Sequence, residues 1–143
     1  MSAIDYRVGN RLDLSQVIEL YTRSTLGERR PTANRESMAA MLDHANLVVT
    51  AWQGERLIGL ARTLTDFVYV GYLADLAVHA DCQRAGIGKG LIARTRAEMG
   101  PKSTLVLLAA PKAVDYYPHI GFTRHNSAWI LRASDQFPQT PTG

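Results

Sequence analysis

The residues with the clearest chemical potential are three glycines at alternate positions in Gln83-Arg84-Ala85-Gly86-Ile87-Gly88-Lys89-Gly90. The stretch follows an apolar, strand-like run and opens a helix-like one. Glycines there let the backbone bend closely, so that consecutive N–H groups gather at a helix N-terminus. Such a turn concentrates partial positive charge and suits an anion, above all a phosphate or pyrophosphate. Spacing separates the devices that work this way. A dinucleotide fingerprint needs G-x-G-x-x-G with an acidic residue ~20 positions further on. Here the third glycine comes one position early, and residues 104–114 hold no carboxylate. A nucleoside-triphosphate loop needs G-x-x-x-x-G-K-[ST], but Gly88-Lys89 is followed by Gly90 and no glycine stands at the earlier position. The pattern that fits is Q/R-x-x-G-x-G/A between a strand and a helix, with Arg84 and Lys89 adding positive charge. A side chain at Gly86 or Gly88 would crowd the approach of a pyrophosphate.

Other chemistries find little support. Cys82 is the single cysteine, so no internal disulfide forms and zinc-type Cys/His spacing is missing. Histidines 44, 79, 119 and 125 show no metal-ligand spacing, and no metal is expected. The net charge of +3 permits anionic partners, but Lys and Arg are scattered and only 8% of residues are aromatic, which argues against a nucleic-acid surface. No apolar run approaches the ~20 residues of a membrane span, and the N-terminus lacks a secretory pattern. The expectation is a cytoplasmic protein with no membrane or nucleic-acid partner.

The elements that position the loop can be read from hydrophobic period. The 143 residues fit one domain, with a core over about 4–132 and a tail over 133–143. Residues 4–8 suggest a short strand. Asp13 caps a helix whose apolar positions Leu14, Val17, Ile18 and Tyr21 recur at i, i+3, i+4 and i+7. After the polar segment 25–32, Asn34 caps a second helix with Met38, Met41 and Leu42 inward. Residues 47–52 and 56–64 form an antiparallel hairpin, and 68–78 the longest strand. A helix over about 88–99 follows the glycines. The apolar run 104–110 predicts a strand buried on both faces, then come a short helix over 112–117 and a last strand around 128–132. The order is α/β, a mixed sheet with helices on both faces.

Val78-His79-Ala80-Asp81-Cys82-Gln83-Arg84-Ala85-Gly86-Ile87-Gly88-Lys89-Gly90-Leu91 resembles the acetyl-CoA motif of the GNAT superfamily of N-acetyltransferases, typically V-x-P-x-x-Q/R-x-x-G-x-G-x-x-L. Ala113-Val114-Asp115-Tyr116-Tyr117, with Gly121-Phe122, resembles the family's A-x-x-x-Y-x-x-x-G-F element. The run LIGLARTLTDF (57–67), then YLADLAV (72–78), resembles small single-domain bacterial-type members and also the plastid aralkylamine-acetylating branch. Ala80 replaces the usual proline, Arg84-Ala85 the common Gly-Arg/Lys pair, Ala110 a frequent asparagine and Gly90 a frequent alanine.

The resemblance implies a mostly antiparallel sheet with splayed central strands and acetyl-CoA as co-substrate. The pyrophosphate would lie on the backbone around Gln83, Arg84, Ala85, Gly86, Ile87, Gly88 and Lys89. The pantetheine arm would run along Leu76, Ala77 and Val78, with Ala113 also near the cofactor. An amine would attack the thioester directly, with Tyr117 as general acid and Asp75 as the base. Strand alternation sets Tyr72 on the opposite face from Asp75 unless a bulge intervenes. Tyr72 is the alternative, orienting a water or lining the acceptor pocket. Arg29 or Arg30 could hold an acidic group on the acceptor, and Asp66 or Asp75 its ammonium. The expected acceptor is a small-molecule primary amine, with a protein N-terminus or lysine, or acyl-CoA binding without turnover, as alternatives. Homodimers are frequent in the family.

Overall fold

Asp13 and Asn34 start the first two helices as their side chains predict. Asp13 accepts from the Ser15 N–H at 2.9 Å and opens α1 (Leu14–Thr22), and Asn34 accepts from the Ser37 N–H at 3.0 Å and opens α2 (Arg35–Asp43). The computed structural model describes residues 3–83 and 85–139. The sequence-predicted cofactor residue Arg84 therefore lies outside the described residues, as do the last four residues of the tail. The chain divides into two compact units, Met1–Leu108 and Ala109–Gly143.

The first unit holds a five-stranded sheet in the order β1 (Asp5–Val8), β2 (Leu47–Gln53), β3 (Arg56–Thr65), β4 (Val70–Val78) and β5 (Thr104–Leu107). Neighbours are antiparallel except for β4 and β5, which are parallel and joined through α3 (Ile87–Met99). The sheet is thus mixed and mostly antiparallel, as expected. α1 and α2 cover one face, where Val17, Leu20, Tyr21, Met38 and Leu42 pack with Val48, Leu60 and Ala77. Each fully buried aliphatic side chain contributes about 1.5–3 kcal/mol. α3 covers the other face and sits so close that a Cβ on Gly59 would meet Ile87 and Leu91 at 3.0 Å.

One irregularity decides what faces the site. Along β3, Arg62 pairs with Asp75 but Thr63 pairs with Leu73, so Ala74 is an extra residue in β4. This bulge reverses the parity of the strand. Gly71, upstream, lies under Met99 of α3, whereas Ala77, downstream, joins the α1 core. Tyr72, paired with Leu64, and Asp75, paired with Arg62, consequently share the α1/α2 face. Simple alternation along the sequence sets them apart, and the bulge overturns that reading.

Three further expectations are corrected. β4 begins at Val70 rather than 68, because Asp66 turns the chain there. Its Oδ1 accepts from the N–H groups of Val68, Tyr69 and Val70 at 2.7–3.1 Å. β5 covers only Thr104–Leu107 of the predicted 104–110, and it alternates exposed and half-buried positions instead of being buried on both faces. An apolar run shows burial potential but not how far its partner strand continues.

In the second unit the predicted helix over 112–117 is two shorter pieces, a 3-10 turn at Pro111–Ala113 and α4 at Tyr116–His119. Pro118 stands inside α4, in a first turn that needs no N–H from it. No strand forms at 128–132, where Trp129 is 94% exposed. A short apolar segment does not by itself specify a pairing edge.

Candidate active site

Gly86 makes the turn that its residue type suits. Gly86 adopts a left-handed conformation (φ 78°) at the N-cap of α3, a region that other residues enter only at a cost. Among the described residues, and apart from its chain neighbours, no atom lies within 4 Å of a Cβ built on Gly86. The first α3 hydrogen bond runs from the Gly90 N–H to the Gly86 carbonyl at 3.0 Å. The N–H groups of Ile87, Gly88 and Lys89 therefore lie ahead of the helical ladder, and glycine supplies no capping side chain. These backbone donors and the helix dipole form a setting for a pyrophosphate.

Gly90 has a different purpose. A Cβ there would overlap the Tyr6 phenol, which packs against the first turn of α3. Its glycine follows from a neighbour in β1 rather than from an anion. Gln83 does not point freely outward either, since its Nε2 donates to the Val78 carbonyl at 3.3 Å and ties the loop to the end of β4. Beside it, the His79 ring accepts from the Asp81 N–H through Nδ1 at 3.2 Å.

β4 offers a second open feature. Its parallel pairing with β5 runs from Val70↔Thr104 to Leu73↔Leu107 and then stops, while its pairing with β3 continues to Val78. No strand of the described sheet pairs with the other side of β4 from Ala74 to Val78. Leu76, Ala77 and Val78 lie on this stretch, which leads directly toward the glycine loop. A backbone edge of this kind can bind an extended amide-bearing chain as a further strand would.

Asp75 sits among donors supplied by the protein itself. It is 1% exposed. Its Oδ1 accepts from Arg30 Nε at 2.7 Å, and its Oδ2 accepts from Tyr21 Oη at 2.6 Å and from Arg62 Nε. Burial alone would raise its pKa, but hydrogen bonds from Arg62 and Tyr21 and the charges of Arg62 and Arg30 hold it below the usual carboxylate range. The same contact acts in reverse on Tyr21, whose phenol is raised well above its ordinary value by burial and then by the Asp75 charge. A carboxylate holding three donors and a lowered pKa is a poor proton acceptor, which weighs against Asp75 as the base.

Arg30 and Asp66, expected near the acceptor, both make hydrogen bonds within the protein. Arg30 donates to Asp75 through Nε, to the Arg29 carbonyl through Nη1 at 2.8 Å and to the Ala74 carbonyl through Nη2 at 2.9 Å. Its fork is occupied within the protein. The Asp66 Oδ1 is bound to the loop it turns, and those backbone hydrogen bonds lower its pKa. Tyr72, by contrast, remains 40% exposed on the Asp75 face. Sequence reasoning missed Tyr21 and Arg62 as partners of Asp75. The signal was a lone arginine in the apolar strand LIGLARTL and a lone aspartate in YLADLAV, two buried charges that need each other.

In the second unit, Tyr117 stacks edge-on with Tyr116 and Phe122, each at 5.3 Å between ring centres. Burial, followed by the neighbouring Tyr116, raises the Tyr117 pKa, so its phenol is protonated at neutral pH. Ala113 ends the preceding 3-10 turn, and its N–H donates to the Ala110 carbonyl at 2.8 Å. Among the described residues, no helix is long and apolar enough to cross a membrane.

Comparison with known proteins bears on this geometry. Residues 19–132 match the model of the acetyltransferase (GNAT) domain. Serotonin N-acetyltransferase 2, chloroplastic, of Oryza sativa subsp. japonica is 26% identical over 122 residues, covering 81% of this chain and 59% of that protein. The N-acetyltransferase ycf52-like protein of Prochlorococcus marinus is 32% identical over 118 residues, covering 78% and 63%. The matches to these two and to a Gracilaria relative span 37–63% of those proteins' lengths. Among solved structures, an aminoglycoside N-acetyltransferase in complex with CoA superposes with a TM-score of 0.73 at 18% identity, covering 94% of this chain and 97% of that one. An acetyltransferase of the GNAT family from Streptococcus pneumoniae gives 0.67 at 23%, covering 91% and 99%. At these identities the structural likeness is one of fold.

Proposed function

This chain belongs to the GNAT acetyltransferase family, and we propose that it transfers an acetyl group from acetyl-CoA to the primary amine of a small molecule. The observation that carries this reading is the continuity of two open backbone features. The unpaired edge of β4 at Ala74–Val78 leads into the left-handed Gly86 turn at the start of α3. A pyrophosphate suits the N–H groups of Ile87, Gly88 and Lys89, and the amide-bearing pantetheine arm suits Leu76 to Val78. The lack of any described atom beside a Cβ at Gly86, its chain neighbours apart, fits a ligand that approaches the backbone closely.

In the proposed reaction the amine nitrogen attacks the thioester carbonyl carbon, the C–S bond breaks, and no acyl-enzyme forms. A lysine-like amine of pKa ~10.4 is neutral only about once in ~2,500 molecules at pH 7, so loss of its proton must be assisted. We assign that step to a water oriented by Tyr72 that relays the proton out to bulk solvent, because Asp75 is committed to Arg30, Arg62 and Tyr21. Tyr117 supplies the proton to the departing thiolate, and its raised pKa keeps it loaded at neutral pH. The rice and aminoglycoside enzymes carry amine substrates in their names, which supports a small-molecule acceptor.

The test is thiol release from acetyl-CoA across a panel of polyamines, aralkylamines, amino acids and aminoglycosides. Turnover with at least one amine, lowered about a hundredfold or more in Tyr117→Phe, is the expected result. Acetyl-CoA binding without thiol release for any amine, peptide N-terminus or lysine would replace this reading with an acyl-CoA-binding module.

A further inference from the structure

The loop that joins α1 to α2, residues 23–34, is pinned to β4 at two places. At one, the Ala80 N–H donates to the Arg23 carbonyl at 3.0 Å, just past the end of the strand. At the other, Arg30 reaches the bulge, with Nε on Asp75 and Nη2 on the Ala74 carbonyl. Between these pins lies the stretch of β4 whose other side has no strand partner, so the loop borders the same backbone that the acetyl donor is proposed to follow. Leu26, 7% exposed, seats the middle of the loop in the α1/α2 core. The half nearer α2, from Glu28 to Asn34, places no buried side chain, and Arg30 is its attachment to the sheet.

The two arginines of the cluster differ in what they hold. Arg62 belongs to β3 and faces Asp75 across a strand pair, so it stays in place whatever the loop does. Arg30 comes from the loop, and its side chain is 24% exposed against 13% for Arg62. Removing Arg30 leaves Asp75 with Arg62 and Tyr21, so the carboxylate keeps one cation and one hydroxyl. The Ala74 carbonyl, by contrast, loses its hydrogen bond to the loop.

We infer that Arg30 is a positioning residue for the acceptor amine. It clamps the α1–α2 loop to the β4 bulge through Asp75 and Ala74, and the clamped loop forms a wall of the acceptor approach. The inference rests on the acetyltransferase reading. It separates the cluster into Arg62, which completes the sheet, and Arg30, which sets the loop. A planar fork is required to bond the carboxylate and the Ala74 carbonyl together, and a lysine supplies only one point donor.

The test compares wild type, Arg30→Gln and Arg30→Lys with an amine that wild type accepts. Steady-state kinetics give the amine KM and kcat, calorimetry gives the acetyl-CoA Kd, and limited trypsin treatment gives the cleavage rate after Arg29. Arg30→Gln is expected to raise the amine KM about tenfold or more, as loss of a charge-assisted hydrogen bond would. The acetyl-CoA Kd stays at the wild-type value and cleavage after Arg29 accelerates. Arg30→Lys restores part of the KM and gives the same split should the glutamine variant fail to fold. A wild-type amine KM in folded Arg30→Gln, or a Kd for acetyl-CoA that moves in step with it, would overturn the inference alone. Wild type that turns over no amine would overturn the acetyltransferase reading, and the inference with it.

Discussion

The Asp75 cluster and the glycine loop lie at opposite ends of the same stretch of β4 and handle their polar groups in opposite ways. Asp75, Arg30, Arg62 and Tyr21 carry strong chemistry, yet both carboxylate oxygens already meet donors inside the protein. The loop at Gly86 carries almost no side-chain chemistry, yet its backbone donors stand ahead of the α3 ladder. A charged residue in a strand is therefore not a reactive one by its type alone. What matters is whether its hydrogen-bonding capacity is met at home, and on that measure the loop is the one left with donors to offer a ligand, while the cluster is satisfied within the protein.

If this contrast is right, Asp75→Ala should be the most damaging change to the fold. It leaves two arginines without their carboxylate, a loss of about 3–5 kcal/mol for a broken buried pair. Urea unfolding would measure it, and a folded variant should still bind acetyl-CoA. Full stability with lost turnover would instead return Asp75 to the role of base.

The glycines sharpen the comparison from the other side. Gly90→Ala collides with Tyr6 and should cost about 1–3 kcal/mol, the usual penalty of overpacking. The same substitution made with Tyr6→Leu should cost clearly less, which a double-mutant cycle reads directly. Equal costs in both backgrounds would mean that Tyr6 is not what excludes a side chain at position 90.

The smallest effect is in pH. Asp75 has a lowered pKa in the fold, so its contribution is full above the ordinary carboxylate value of about 4 and disappears as pH falls through the lower folded value. Tyr21 has a raised pKa, so its contribution is full below about 10 and disappears as pH rises through the higher folded value. Melting temperature against pH should therefore show a plateau between these limits from this pair, and Tyr21→Phe should flatten the alkaline limb.

Much of the first unit was legible in the sequence because its signals are local. Asp13 and Asn34 cap the helices they announce, and the β2–β3 hairpin and α3 fall within a residue or so of their predicted bounds. Gly86 was legible as a turn residue because only glycine enters its conformation cheaply. The position of the Ala74 bulge was not, since an inserted residue leaves no mark in an alternating apolar strand. Every face assignment downstream of Tyr72 depended on it. Nor were the partners of Asp75 legible. Tyr21, Arg30 and Arg62 lie 13–54 positions away in the sequence, and only the fold brings their donors to one carboxylate. The strand expected at 128–132 failed for a related reason, because pairing depends on an edge elsewhere in the chain.

The most direct test of the account is the melting temperature of wild type and Gly88→Trp with and without acetyl-CoA. At a hundredfold excess over Kd, wild type should gain about 2.7 kcal/mol. Gly88→Trp, folded and melting near the wild-type temperature without ligand, should gain nothing. No shift in wild type at millimolar acetyl-CoA, or an equal shift in the variant, would contradict the assignment of the glycine loop as the cofactor site.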